Sequence, residues 1–255
     1  MLSPHQPYSH LVLWVALALV VVLLIVRAVS KDRLEYQRFK RFERTRNRQR
    51  MMRRWLISSL SMFGAAAAVL LFLAWQYVPL LLVAVRSWPA GVWFRSLVAA
   101  TGALIPAGSL ALAVVIVVGT VIAVFFARKS AEVPTIGDVG ALLPRNRAEL
   151  LYGAGLSVNA GVVEELLFRL AVPAVIFGAS GSALAAVVAS VVLFGGLHVY
   201  QGVPGIVGAT LIGAFLMVLY LASGSILVPM VAHALIDLRS LVLIPVLVYR
   251  VDQVR

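Results

Sequence analysis

The chain has 255 residues, 62% hydrophobic and only 13% charged, with a mean hydropathy of +1.00. That composition excludes an ordinary soluble domain, and several runs exceed the ~18–20 apolar residues that cross a bilayer. No cysteine is present, which excludes disulfides, thiolate metal sites and cysteine nucleophiles. The formal net charge of +12 is unevenly spread: residues 31–54 hold eleven Lys or Arg and three acids, or +8 of it.

The expectation is an all-α, polytopic helical membrane protein of about seven spans, with six to eight allowed. The first apolar span covers residues 11–29. It is too long in its apolar core for a signal peptide and shows no small-residue cleavage site, so it reads as a retained anchor. The basic run 31–54 follows, with Leu34, Tyr36, Phe39, Phe42 and Met51 among its charges. It reads as a topogenic loop, or as a basic amphipathic helix lying on anionic lipid headgroups. No base-reading fold accompanies it, so nucleic acid is not an expected partner. The positive-inside rule makes this loop cytoplasmic and places the N-terminus outside.

The second span covers 55–85. Trp88, Trp93 and Phe94 near a Pro-Ala-Gly turn then fit an interfacial aromatic belt. The third span covers 97–127, with Gly102, Pro106, Gly108 and Gly119 as sites for a kink. A polar stretch to residue 149 divides the chain into an N-terminal transmembrane region, 1–149, and a helical core, 150–255. Spans are expected there over 150–178, 183–200, 203–222 and 226–249, ending inside.

In the back half the acids are Glu164, Glu165, Asp237 and Asp252, and the histidines are His198 and His233. An intramembrane ionisable residue costs at least ~2.5–3.5 kcal/mol at mid-bilayer unless it faces protein or water, so each is read as functional. Glu165 and Arg169 are i and i+4, the spacing of an ion pair on one helix face, while Glu164 points about 100° away. A carboxylate left unpaired there suits a general base. His233 and Asp237 are also i and i+4. His198 closes the segment Phe194-Gly195-Gly196-Leu197-His198. Such a set either activates water directly or holds a divalent metal that does so. Metal candidates are Glu164, His198 and His233, a set of two histidines and a carboxylate that zinc accepts; no cofactor is favoured.

Each place also has a structural reading. Glu165–Arg169 fits a purely structural ion pair, His198 an interfacial histidine, and His233–Asp237 a helix-packing hydrogen bond. Counting ~1.5 Å per residue from position 150 puts Glu164 ~21 Å deep, far below His198. The segment 153–161, with three Gly plus Ser157 and Asn159, is therefore expected to be broken or shallow, and Pro173 to kink the helix after the site.

Three motifs in this order resemble those of the CAAX-protease and bacteriocin-processing (CPBP, or Abi) intramembrane proteases, relatives of the type II CAAX prenyl endopeptidases. They are Glu164-Glu165-x-x-x-Arg169, Phe194-x-x-x-His198 and His233-x-x-x-Asp237. The resemblance covers roughly residues 150–240. It implies endopeptidase cleavage of a membrane-associated peptide or protein, in a cavity between helices of the C-terminal half reached from the cytoplasm. It implies Glu164 as the base that activates water, His198 assisting, and His233 with Asp237 holding the oxyanion. Glu165, Arg169 and Phe194 would support the site. Two positions depart from the pattern: Asp237 where Asn suits an oxyanion donor, and Leu170 where many relatives have Gly, a change expected to narrow the cavity. The alternative reading is a non-catalytic protease-like scaffold or bacteriocin-immunity protein. An ion- or proton-linked transporter is a third, against which stands the absence of an inverted repeat. The Ala-, Val- and Arg-rich composition points to a bacterial plasma membrane.

Overall fold

The computed structural model describes residues 2, 6, 8–89, 92, 96, 114, 117–122, 124–126 and 135–254. Among these every regular element is helical and no strand occurs. Among the described residues four helices are long and apolar enough to cross a membrane: Ser9–Lys40 (α1), Thr45–Ala74 (α2), Val199–Ser223 (α6) and Leu227–Tyr249 (α7). Between them lie the short helix Tyr77–Arg86 (α3), a continuous helix over 147–180 (α4) and Ala183–Gly196 (α5). The architecture is the all-α polytopic membrane protein that composition dictates. Most of the 97–127 span, its kink sites at Gly102, Pro106 and Gly108, and Trp93 and Phe94 of the aromatic belt lie outside the described residues.

Two front-half boundaries differ from expectation. The basic run is no separate surface helix. α1 runs on to Lys40 and α2 already begins at Thr45, so residues 31–54 form a hairpin whose arms extend two spans. A π-helical stretch, Arg27–Asp32, lies inside α1. Its i→i+5 spacing stacks Arg27 over Asp32, and Arg27 Nε meets that carboxylate at 3.0 Å. The expected second span 55–85 is interrupted at residues 75–76. Pro79 is the reason: it lacks an N–H, and its ring would clash with the Trp75 carbonyl in a continuous helix. It is tolerated in the first turn of α3 instead.

α4 is the central element. Asn146 caps it, its side chain accepting from Glu149 N at 3.2 Å. It stays α-helical to Glu165, becomes π-helical over Leu166–Ala171 and resumes as α to Ser180. The expected break at 153–161 is absent. Gly153, Ser157 and Gly161, four residues apart and all buried, form a stripe of small residues of the kind that lets membrane helices approach closely. A Cβ on Gly161 would come within 2.9 Å of the α7 backbone at Met230 O and Ala234 N. The irregularity falls next to Pro173, where the sequence placed a kink. Val172 N–H reaches back five residues to Leu167 O. The next donor for Phe168 O in that spacing is Pro173, which has none, and the Ser190 hydroxyl of α5 donates to this carbonyl instead, at 2.5 Å.

The main core gathers around α4. Leu167, Phe168, Val172 and Val175 are buried with Leu13 and Leu17 of α1, Leu70 of α2, Leu81 of α3 and Phe194 of α5. The N-terminal helices thus pack directly on the helix that carries the Glu-Glu motif.

Candidate active site

Gly181, in the left-handed conformation (φ 70°), closes α4 and turns the chain into α5. Glu164 lies seventeen residues before it and His198 seventeen after. At 1.5 Å per residue both stand ~25 Å from the same turn. This removes the depth conflict: α4 is long, α5 is only 14 residues, and the two side chains are level when measured from the shared turn.

Glu165 is wholly buried and serves two partners. Its Oε2 lies 3.0 Å from Arg169 Nε, as the i, i+4 spacing predicts. The N–H is not aimed at that oxygen, since neither atom has a hydrogen-bond partner; the contact is a charge pair rather than a directed bond. Its Oε1 is 2.7 Å from His233 Nδ1. A carboxylate beside a guanidinium only accepts, so Nδ1–H donates. This link between α4 and α7 is implied by no sequence spacing. It depends on Gly161, one turn earlier, holding the two helices together. The other nitrogen of His233 faces Asp237 at 3.7 Å, an ion-pair separation beyond hydrogen-bond length.

Phe194 is the hub. Its ring lies 5.3 Å from Phe168, 4.9 Å from His198 and 6.2 Å from His233, and the Arg169 guanidinium sits over it at 4.5 Å. Gly213 of α6 leaves room for this ring: a Cβ there would meet Phe194 Cδ1 at 2.7 Å. His198 Nδ1 is 2.8 Å from Phe194 O. A carbonyl only accepts, so Nδ1–H donates and the neutral ring keeps an Nε2 lone pair for a ligand or water. Leu170, the departure from the motif expected to narrow the cavity, is buried. It packs with Met217 and Tyr220 of α6.

Glu164 is half-buried, and no described residue hydrogen-bonds to it. It lies within electrostatic reach of His233, Asp237, Glu165 and Arg169, and His198 within reach of His233 and Arg169. All seven residues singled out from the sequence therefore belong to one cluster. One more was missed. Tyr200 stacks on His198, with ring centroids 6.1 Å apart and 27° between planes. It is within reach of Glu164 and Asp237, and its oxygen accepts from Gln201 Nε2 at 2.9 Å. Tyr36 of α1 meets Tyr200 edge-on at 5.5 Å. The only sequence signal was a polar aromatic two residues after His198. The 3₁₀ turn Val199–Gln201, which folds it back, was not anticipated.

Among the described residues no three His, Asp or Glu side chains gather closely enough to hold a metal ion. Both His233 nitrogens face carboxylates of its own network, so Glu164, His198 and His233 as arranged do not fit a shared metal.

Fold and site together define a helical membrane protein with a buried carboxylate–histidine cluster between α4, α5 and α7. Residues 146–239 match the family model described as type II CAAX prenyl endopeptidase Rce1-like, so this part of the chain, which carries the three motifs, is similar to that protease family. No curated protein and no solved structure matches the chain.

Proposed function

We propose that the protein is an intramembrane endopeptidase in which Glu164 and His198 activate one water for attack on a peptide carbonyl. The observation that carries this is the division of labour between adjacent carboxylates. Glu165 is occupied by Arg169 and His233, while Glu164 is left without a hydrogen-bond partner among the described residues. Water donates one proton to Glu164 and is oriented by the His198 Nε2 lone pair as its oxygen bonds to the carbonyl carbon. The carbonyl electron pair moves onto oxygen. His233, with Nδ1–H committed to Glu165, donates from Nε2 in its protonated form to that oxyanion, and Asp237 balances the charge. Collapse breaks the C–N bond, and Glu164 returns its proton to the leaving amine. The substrate class is a membrane-associated peptide or protein. The positive-inside rule supports a cytoplasmic 31–54 hairpin, the contact of Tyr36 with Tyr200 beside His198 supports access to the site from that side, and the composition supports a bacterial plasma membrane.

Peptidomics of membranes from cells carrying the wild-type protein or Glu164→Gln tests this reading. Peptides present with the former and missing with the latter, at equal protein levels, are expected. Identical peptidomes together with full rescue of any deletion phenotype by Glu164→Gln would instead favour the scaffold or immunity role.

A further inference from the structure

Of the nine arginines of the 31–54 hairpin, one is buried and eight are exposed, four of them lining clefts. Arg48 is buried on Glu149, whereas Arg38, Arg50, Arg53 and Arg54 are exposed. Of these four only Arg54 meets a carboxylate, Glu35 at 3.8 Å; the other three have no acidic partner among the described residues. They line two adjoining clefts. One, of about 330 Å³, is formed by Arg38, Phe42, Asn47, Arg50, Met51 and Arg54, so it draws cations from both α1 and α2. The other, of about 480 Å³, is formed by Arg50, Arg53 and Arg54 with Ile57, Ser58 and Ser61. Arg50 and Arg54 belong to both.

Arg50, common to both clefts, has no counter-charge among the described residues, and Arg54 beside it keeps only a long, exposed contact with Glu35; with Arg38 and Arg53 flanking, the cations of two helices call for a phosphate-sized anion. The same helix face continues past these cations. Residues 50, 54, 57, 61, 65, 68 and 72 recur at i+3 or i+4, the period of one face. All are exposed: Arg50, Arg54, Ile57, Ser61, Ala65, Ala68 and Phe72. The stripe therefore changes from cationic to apolar along α2 toward the body of the span, with small residues in its middle. A ligand matching it has an anionic head and a long apolar tail. We infer that this double cleft is a binding site for an anionic phospholipid, its phosphate held by Arg50 and Arg54 with Arg38 and Arg53 flanking. Its acyl chain lies along Ile57, Ser61, Ala65 and Ala68. A free phosphate shares the head chemistry but not the tail.

The purified full chain in neutral detergent, titrated by native mass spectrometry, separates these sources without reference to proteolysis. The probes are phosphatidylglycerol, phosphatidylcholine with the same chains, and inorganic phosphate. Saturable binding of about one phosphatidylglycerol per chain is expected, well ahead of the other two. Each arginine removed from the cleft should weaken it about five-fold, so Arg50→Gln/Arg54→Gln loses roughly 25-fold. The control Arg33→Gln/Arg46→Gln, with the same charge lost outside the clefts, should bind as the wild type. Equal binding of phosphatidylcholine, or equal loss in the control, would reduce the site to ordinary surrounding lipid and overturn the inference. Inorganic phosphate binding as tightly as the lipid would overturn it in favour of a free anion. The wild-type preference between the two lipids decides the matter even if the double variant does not fold.

Discussion

At the scale of residues, two neighbouring glutamates have opposite expected phenotypes. Glu164→Gln removes a proton acceptor but no hydrogen bond, so it should leave the melting temperature unchanged and lower cleavage by ~10²–10⁴-fold. Glu165→Gln strands Arg169 and loosens His233, which it holds at 2.7 Å; breaking such a buried pair costs about 3–5 kcal/mol. It should appear first as a lower melting temperature in detergent. The reverse pattern would refute the assignment. Tyr200 positions His198 through its ring, so Tyr200→Phe should keep kcat near wild type while Tyr200→Ala lowers it with KM little changed. A matching loss in both variants would move the role to the hydroxyl. The glutamates and histidines were legible because a charge in an apolar run has few explanations. Tyr200 was not, because an aromatic residue in a membrane helix has many and only the 3₁₀ turn gives it a partner.

At the scale of elements, composition and hydropathy indicated helices throughout but misjudged where they bend. Residues 153–161, with their three glycines, read as broken or shallow because counting depth from position 150 set Glu164 far below His198. In the structure they are the contact by which α4 meets α7, and contact between helices is invisible to a single-helix reading. Gly161→Val tests this. Its side chain would enter space where even a Cβ lies 2.9 Å from the α7 backbone. It should cost about 1–3 kcal/mol and separate Glu165 from His233, reducing cleavage as well as stability. A variant with wild-type stability and activity would contradict the close approach. Pro173 was read correctly as a perturbation. Its form, a π stretch with Phe168 O satisfied by Ser190, needed knowledge of the neighbouring helix.

At the scale of the molecule, the N-terminal helices are fastened to the core that bears the motifs. Arg48 of α2 and Glu149 of α4 are both wholly buried, with Nε 3.0 Å from the carboxylate. Arg48 Nη2 also donates to Ala141 O and Leu143 O, at 3.0 and 3.1 Å. No sequence pattern pairs one arginine among eleven basic residues with a glutamate 101 positions away, so this attachment was illegible. Glu149→Gln should destabilise the whole protein by about 3–5 kcal/mol, read as a lower melting temperature, and residues 146–239 expressed alone should not give a monodisperse folded species. If this assembly splits peptide bonds with a water activated at Glu164, the oxygen of that water ends in the product. Mass spectrometry can follow it in peptides cleaved by the purified protein in liposomes made up in ¹⁸O-labelled water. One ¹⁸O is expected in each new C-terminal carboxyl group with the wild type, and intact peptide with an equally stable Glu164→Gln protein. Cleavage by that variant at the wild-type rate would show that the water is activated elsewhere.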